Sequence, residues 1–210
     1  MWRALILAFT CLASTSALSE ESIDLATTRA PIEAFYEVLM ECMKNAESLG
    51  LEGRKKTLEP AIEQTYDLPL MSAKVLGRHW RGLTDEDKNR WLATFRRITI
   101  ATYAERFDGW DGEKLLVLDA ELGARGTRVV HTRIEPSDGD PVDVHYRMKE
   151  REGRWRVMDV FLNGTVSELA LRRSEYGGVI KTDGLDALIE RLEAKIEAGE
   201  ASNEFTSDAS

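Results

Sequence analysis

The chain is poor in the residues on which most protein chemistry depends. It has only two cysteines, three histidines and five prolines in 210 residues. Of the cysteines, Cys11 lies in a leader-like N-terminus and only Cys42 follows it. A chain left with one cysteine forms no internal disulfide, even in an oxidising compartment. Cys42 shares a helical apolar face with Phe35, Leu39 and Met43 and has no histidine near it in sequence, which reads as a core thiol rather than a nucleophile. His79, His131 and His145 are spread along the chain without the paired spacing of metal ligands, so no metal is expected. Gly50-Leu51-Glu52-Gly53 and Gly123-Ala124-Arg125-Gly126 read as turns, not as a phosphate-cradling loop between strand and helix. No Gly-x-Ser-x-Gly elbow is present, and no cofactor is implied. After the leader, no apolar run reaches the roughly 18 residues of a membrane-spanning helix. An excess of positive charge is also missing. The net charge of −9 disfavours general binding to nucleic acid or to an anionic bilayer surface.

What is present begins with the leader. Arg3 is the only charge before Glu20, Ala4 to Leu12 is a short apolar core, and Ser14-Thr15-Ser16-Ala17 supplies small residues for cleavage. This pattern reads as a secretory signal peptide over 1–17, which is expected to route the mature protein out of the cytoplasm. Cys11 follows Ala8-Phe9-Thr10 and lacks the leucine and small residue of a lipoprotein site. Residues 18–29 read as a loose polar leader, 30–198 as a single domain, and 199–210 as a flexible tail.

Within the domain, Pro31 is expected to open the first helix, where Ile32, Phe35, Tyr36, Leu39, Met43 and Ala46 recur at helical spacing up to Gly50. A second helix is expected from Arg54 to Tyr66, ended by Asp67-Leu68-Pro69, and a short third one ends at Gly77. Thr84 and Asp87 form a capping box for a long amphipathic helix carrying Trp91, Phe95, Ile98, Thr102 and Tyr103. After Gly112 the period changes to two. Leu115–Glu121, Thr127–Glu135, Val142–Glu150 and Trp155–Leu162 are strands joined by short Gly-, Pro- or Asp-containing turns, hence antiparallel neighbours. Helical patterns return at 166–180 and 185–196. Helices, then strands, then helices define an α+β fold: a curved four-stranded antiparallel sheet covered by N-terminal and C-terminal helices, with a cavity between the layers.

The last strand carries an unexpected charge. Alternation puts Trp155, Val157, Asp159 and Phe161 on one face. A buried Asp159 could be the base of a pocket enzyme of the isomerase type, or a structural carboxylate held by a neighbouring helix or by an arginine such as Arg147. The Arg172-Arg173 pair that follows is either a solvated face or a phosphate contact.

Trp-Arg-Val-Met-Asp-Val at 155–160, followed by Gly164, Ser167 and the Arg-Ser-Glu-Tyr of 173–176, resembles the MlaC or toluene-tolerance auxiliary family. Gly184-Leu185-Asp186-Ala187-Leu188-Ile189 and Thr102-Tyr103-Ala104 are similar to further motifs of that family. Between Asp159-Val160 and Tyr176 the chain has one residue more than the usual pattern, and Leu162 to Ala170 looks more like the hopanoid-biosynthesis-associated HpnM branch. The resemblance implies a non-enzymatic periplasmic carrier of phospholipid or a hopanoid-type lipid. Its implied partners are an outer-membrane lipoprotein complex and an inner-membrane ABC transporter with an MCE-domain protein. On this reading Phe95, Ile98, Thr102 and Tyr103 of the long helix, Val144, Tyr146, Val157 and Phe161 of the sheet, and Leu169 and Tyr176 of the closing helix are expected to line a lipid pocket. Asp159 becomes structural, tying the strand to that helix through Arg173. A filled core would instead suit a protein-interaction adaptor.

Overall fold

The computed structural model describes residues 16–202, with side chains described from Leu25 onward. All but the last two residues of the expected signal peptide, and the tail from 203, lie outside the described residues.

The first helix, α1 (Ser16–Lys44), begins well before Pro31. The polar leader is therefore helical, because Leu25, Thr28 and Ile32 recur at helical spacing and pack inward. Thr28 and Ile32 are fully buried and Leu25 lies against the core. Pro31 sits inside the helix, where its ring removes one backbone hydrogen bond without ending the run. Ile32, Phe35, Tyr36, Leu39, Cys42, Met43 and Ala46 are all buried. Burial of each large apolar member contributes about 1.5–3 kcal/mol. The helical run resumes almost at once as α2 (Ala46–Thr65), broken at Gly50 by φ 59° and ψ −179°. The short α3 (Leu68–Leu76) is capped by the Asp67 carboxylate, which accepts from the Leu70 amide at 3.1 Å. The Thr84 hydroxyl accepts from the Asp87 amide at 3.1 Å and so starts α4 (Asp85–Arg106) as the capping box predicts.

The sheet is antiparallel and open, in the order β1 (Lys114–Leu122), β2 (Thr127–Glu135), β3 (Val142–Arg151), β4 (Arg154–Leu162) and β5 (Val166–Ser167). The four long strands are those expected. The fifth, of two residues, extends the edge of β4 and leads into α5 (Glu168–Ala198). Tyr66 and Asp67 cover the other half of that edge, where the Asp67 amide donates to the Val157 carbonyl at 2.9 Å. Both halves of the last edge are thus occupied, which removes an open template for strand pairing.

One irregularity corrects the expected parity of β4. Met148 pairs with Val157 but Arg147 pairs with Asp159, so Met158 is an extra residue. An inserted residue reverses the alternation beyond it. Val157 and Val160 both enter the core, and Tyr146 opposes Val160. Phe161 is placed on the outer face instead, opposite His145, with the Arg147 guanidinium 4.6 Å from its ring centre.

The helical layer covers the inner face through α1, α2, α3 and α5. α5 is interrupted at Gly184, with φ 87° and ψ 177°. That backbone region and the one at Gly50 are accessible almost only to glycine. A Cβ at either position would meet no atom within 4 Å. Gly50→Ala and Gly184→Ala are therefore expected to lower stability by about 1–3 kcal/mol each through backbone strain alone, as read by urea titration; an unchanged midpoint would refute the strained geometry.

Candidate functional site

Between the sheet and the helices lies a seam of five aromatic rings. Phe35 meets Tyr66 and Tyr103 edge-on, at centroid distances of 5.6 and 5.5 Å, and Tyr36 meets Tyr146 at 6.0 Å. The seam is also a hydrogen-bonded one. The Tyr36 hydroxyl lies 2.7 Å from Thr132 Oγ1 and 3.3 Å from the Tyr146 hydroxyl, and the Tyr66 and Tyr103 hydroxyls bond each other. Burial raises the pKa of all four tyrosines, so they remain protonated hydroxyls across the physiological range.

Next to this seam is an interior cavity of ≈ 20 Å³. Phe95, Thr99, Thr102 and Tyr103 of α4 form one wall, Tyr66 and Met71 a second, and Glu168, Leu169 and Arg172 of α5 a third. This is space for one water, far below the 300–1,000 Å³ of typical ligand pockets. This cavity is not the lipid-sized one expected between the layers, because aromatic side chains fill the adjoining seam. Larger spaces among the described residues include surface grooves. One of ≈ 610 Å³ runs between α1, α2 and the β3–β4 turn, with Pro31, Ala34, Phe35, Val38 and Trp155 in its lining.

Four of the residues expected to line a pocket, Phe95, Thr102, Tyr103 and Leu169, meet at the interior cavity. Ile98 is fully buried on α4. Val144, Tyr146 and Val157 are buried on the inner face of the sheet. Tyr176 stacks edge-on against Trp91 at 5.8 Å, beside the Trp91–Phe95 contact, and so belongs to the same wall farther along α5. Phe161 is the exception, turned outward by the bulge. Tyr66, Met71, Thr99 and Glu168 were not foreseen, and Arg172 was weighed only as part of the Arg172-Arg173 pair, not as a wall residue. Thr99 and Arg172 had a usable signal. Thr99 lies four residues after Phe95, and Arg172 sits between Leu169 and Tyr176 on one helical face. Tyr66 had none, because only the tertiary fold brings the α2–α3 junction there.

The arginine assignment changes accordingly. Arg172 is the buried one, 5% exposed, with its guanidinium 5.8 Å from the Phe95 ring centre. Arg173 is exposed and packs over Gly77 at the end of α3. Asp159 does not pair with Arg173. Its carboxylate accepts from the Ser167 hydroxyl at 2.9 and 3.0 Å, from the Val160 amide at 2.9 Å and from the Leu169 amide at 3.3 Å. Ser167 in turn accepts from the Ala170 amide at 3.0 Å, capping α5. The carboxylate is thus a knot between β4 and the start of α5, and it does not line the interior cavity. Among the described residues no group of three or more His, Cys, Asp or Glu is arranged to hold a metal, and no helix is long and apolar enough to cross a membrane.

An open antiparallel sheet, a helical cover on one face and an aromatic-filled interior between them define an α+β protein of two layers. The sequence profile of the MlaC protein family matches residues 33–194, most of the chain. The chain belongs to the MlaC family. One relative is the intermembrane phospholipid transport system binding protein MlaC of Haemophilus influenzae, 23% identical over 131 residues. That alignment covers 60% of this chain and 61% of the relative, so the match spans about three fifths of the relative's length. Among solved structures, a phospholipid-binding protein of Ralstonia solanacearum in complex with a phospholipid has the same fold, with a TM-score of 0.71 at 19% identity. It covers 82% of this chain and 98% of its own.

Burial dominates the environment of Asp159 and raises its pKa despite the hydrogen bonds it accepts. The folded state then holds the proton more tightly than the unfolded state, so the stability contributed by the protonated form is lost as pH rises from the ordinary carboxylate value through the folded one. The stability advantage of wild type over Asp159→Asn is expected to shrink as pH rises from about 4. Asp159→Ala, which removes the carboxylate's hydrogen bonds to Ser167, Val160 and Leu169, is expected to cost about 1–3 kcal/mol. Urea titrations from pH 4 to 7 test both; an advantage that grows with pH would overturn the assignment.

Proposed function

We propose that this chain is a non-enzymatic periplasmic carrier of phospholipid or a hopanoid-type lipid. It takes its cargo across the periplasm between an outer-membrane lipoprotein complex and an inner-membrane ABC transporter with an MCE-domain protein. The observation that carries this reading is the meeting of Phe95, Thr102, Tyr103 and Leu169 around one interior cavity, in a chain of the MlaC family. The relatives' names speak of phospholipid binding and transport.

The physics supports the reading with one condition. Each CH₂ moved from water into the interior contributes about 0.8 kcal/mol, so a tail of ordinary length is worth more than the aromatic contacts it displaces. The condition is that α4 and α5 part from the seam, because ≈ 20 Å³ cannot hold a tail. The element that permits this is the break at Gly184, which divides α5 into two segments, while the knot at Asp159 and the Arg106–Glu168 pair fix only its first turn. The filled interior would equally suit an adaptor without ligand, and that is the reading to be tested against. A pocket enzyme based on Asp159 finds little support, since both carboxylate oxygens are engaged by donors that cap a helix.

Native mass spectrometry of protein isolated from its own periplasm, followed by lipid extraction, is expected to find close to one lipid per chain. Leu169→Trp, which fills the interior wall, is expected to lower that occupancy several-fold, and Phe161→Ala on the outer face to leave it unchanged. A folded protein that is isolated empty and takes no lipid from vesicles would make it an adaptor.

A further inference from the structure

The two edges of the sheet differ. The β4 edge is occupied by β5 and by Tyr66 and Asp67. β1, at the opposite end, pairs with β2 on one side and has no strand on the other among the described residues. An edge strand presents a row of backbone donors and acceptors that can template another strand, and proteins blunt such edges with charges, proline or a bulge. β1 does have a bulge, since Val117 pairs with Thr132 and Asp119 with His131. The extra residue, however, is Leu118, which is 45% exposed, and Leu122 at the end of the strand is 54% exposed. Trp110, on the approach to β1, is exposed as well. Three of the six large apolar side chains exposed among the described residues thus lie on this strand or its approach, where a protective device would put charge.

A groove of ≈ 520 Å³ runs beside the same edge, between β1 and α1. Leu115 and Val117 form its strand side, and Glu33, Glu37, Met40 and Glu41 its helix side. A strand added to β1 would alternate its side chains between this groove and the outer face of the sheet. The strand side is apolar, while the helical rim is acidic. Glu33, Glu37 and Glu41 recur every four residues, against Lys44, which sits 5.4 Å from the Trp110 ring centre. Arg29 offsets part of that charge, 3.8 Å from Glu33. Lysine or arginine stems can lie along Met40 with their charges at the glutamates. A second copy of the chain suits the edge poorly, because its β1 brings Asp119 and Glu121 against Lys114 and its α1 brings the same glutamates. The chain's own residues 203–210 include Glu204 and Asp208 and no basic residue.

We infer that the β1 edge and the α1–β1 groove form a docking site for an extended segment of a partner protein, in which apolar and basic residues alternate and which joins the sheet as a further strand. Backbone hydrogen bonds to β1 supply affinity in such a complex, and the groove selects the side chains. The site lies outside the interior, so its test is separate from that of the carrier reading.

The probe is a capped peptide of alternating lysine and valine, nine residues long to match β1. A second peptide of the same composition, with its lysines and valines in two blocks, has the same charge but cannot present one kind of residue to each face. Wild type is expected to bind the alternating peptide about tenfold more tightly, as read by calorimetry. Hydrogen–deuterium exchange is expected to show the amides of Lys114–Leu122 slowed by that peptide. Glu37→Lys combined with Leu118→Lys, both at exposed positions, is expected to bring the two affinities together, with circular dichroism checking the fold. If that variant unfolds, the wild-type ratio and the location of the slowed amides decide. Equal affinity of wild type for the two peptides overturns the inference. So does protection that falls outside β1 and α1, or a preference that persists in the folded variant. A wild-type dimer in analytical ultracentrifugation that Leu118→Lys dissociates would give the edge to a second copy and overturn the partner assignment.

Discussion

The extra residue at Met158 is the constraint from which the rest of the site follows. Before it, Val157 points into the core opposite Met148; after it, Val160 points in opposite Tyr146. Without the reversal, Asp159 and Phe161 would lie under the helices and Val160 would face solvent. With it, the carboxylate falls at the sheet edge, where the chain returns as β5 and can supply the Ser167 hydroxyl and the Leu169 amide. That knot sets where α5 starts, and the start of α5 sets which of its residues reach α4. Leu169, Arg172 and Tyr176 reach it because they share the face that the knot turns inward.

The interior built in this way is apolar in bulk and polar in detail. Phe35 and Phe95 fill volume, while four buried tyrosines and Thr132 place hydroxyls at intervals through the seam. A core designed only for stability gains little from buried hydroxyls, since each hydrogen bond returns a net of about 1 kcal/mol and an unmade one costs more. Here the hydroxyls bond one another and Thr132 within the seam, beside a cavity of only ≈ 20 Å³.

The surroundings suit a wall that moves as a unit. Contacts between α5 and α4 include the part-buried ion pairs Arg97–Glu193 and Arg106–Glu168 and the solvent-facing pair Arg90–Asp186. Such solvent-facing pairs are worth only a few tenths of a kcal/mol to about 1 kcal/mol each, and salt screens them. The sheet, by contrast, is held by continuous ladders through β1 to β4. A rigid sheet facing a helical cover attached partly by weak surface pairs places any opening on the helical side.

The amino-acid order by itself determined the order of helices and strands from residue 30 onward, the four long strands nearly to the residue, the Thr84 helix start, and the buried faces of α1 and α4. These are local properties: a period of 3.6 or 2, a capping hydroxyl, a turn glycine. It also carried the family motifs around Asp159 and Thr102-Tyr103-Ala104. What it left to the tertiary structure were features that depend on a partner distant in the chain. The bulge at Met158 exists only relative to β3, so the outward turn of Phe161 was not legible in the alternation of β4. Arg172 and Arg173 are adjacent and chemically alike, and only the packing of α5 against Phe95 decides which is buried. Tyr66 joins Tyr103 because the α2–α3 junction lies along β4, a contact between residues 37 positions apart that no periodicity encodes.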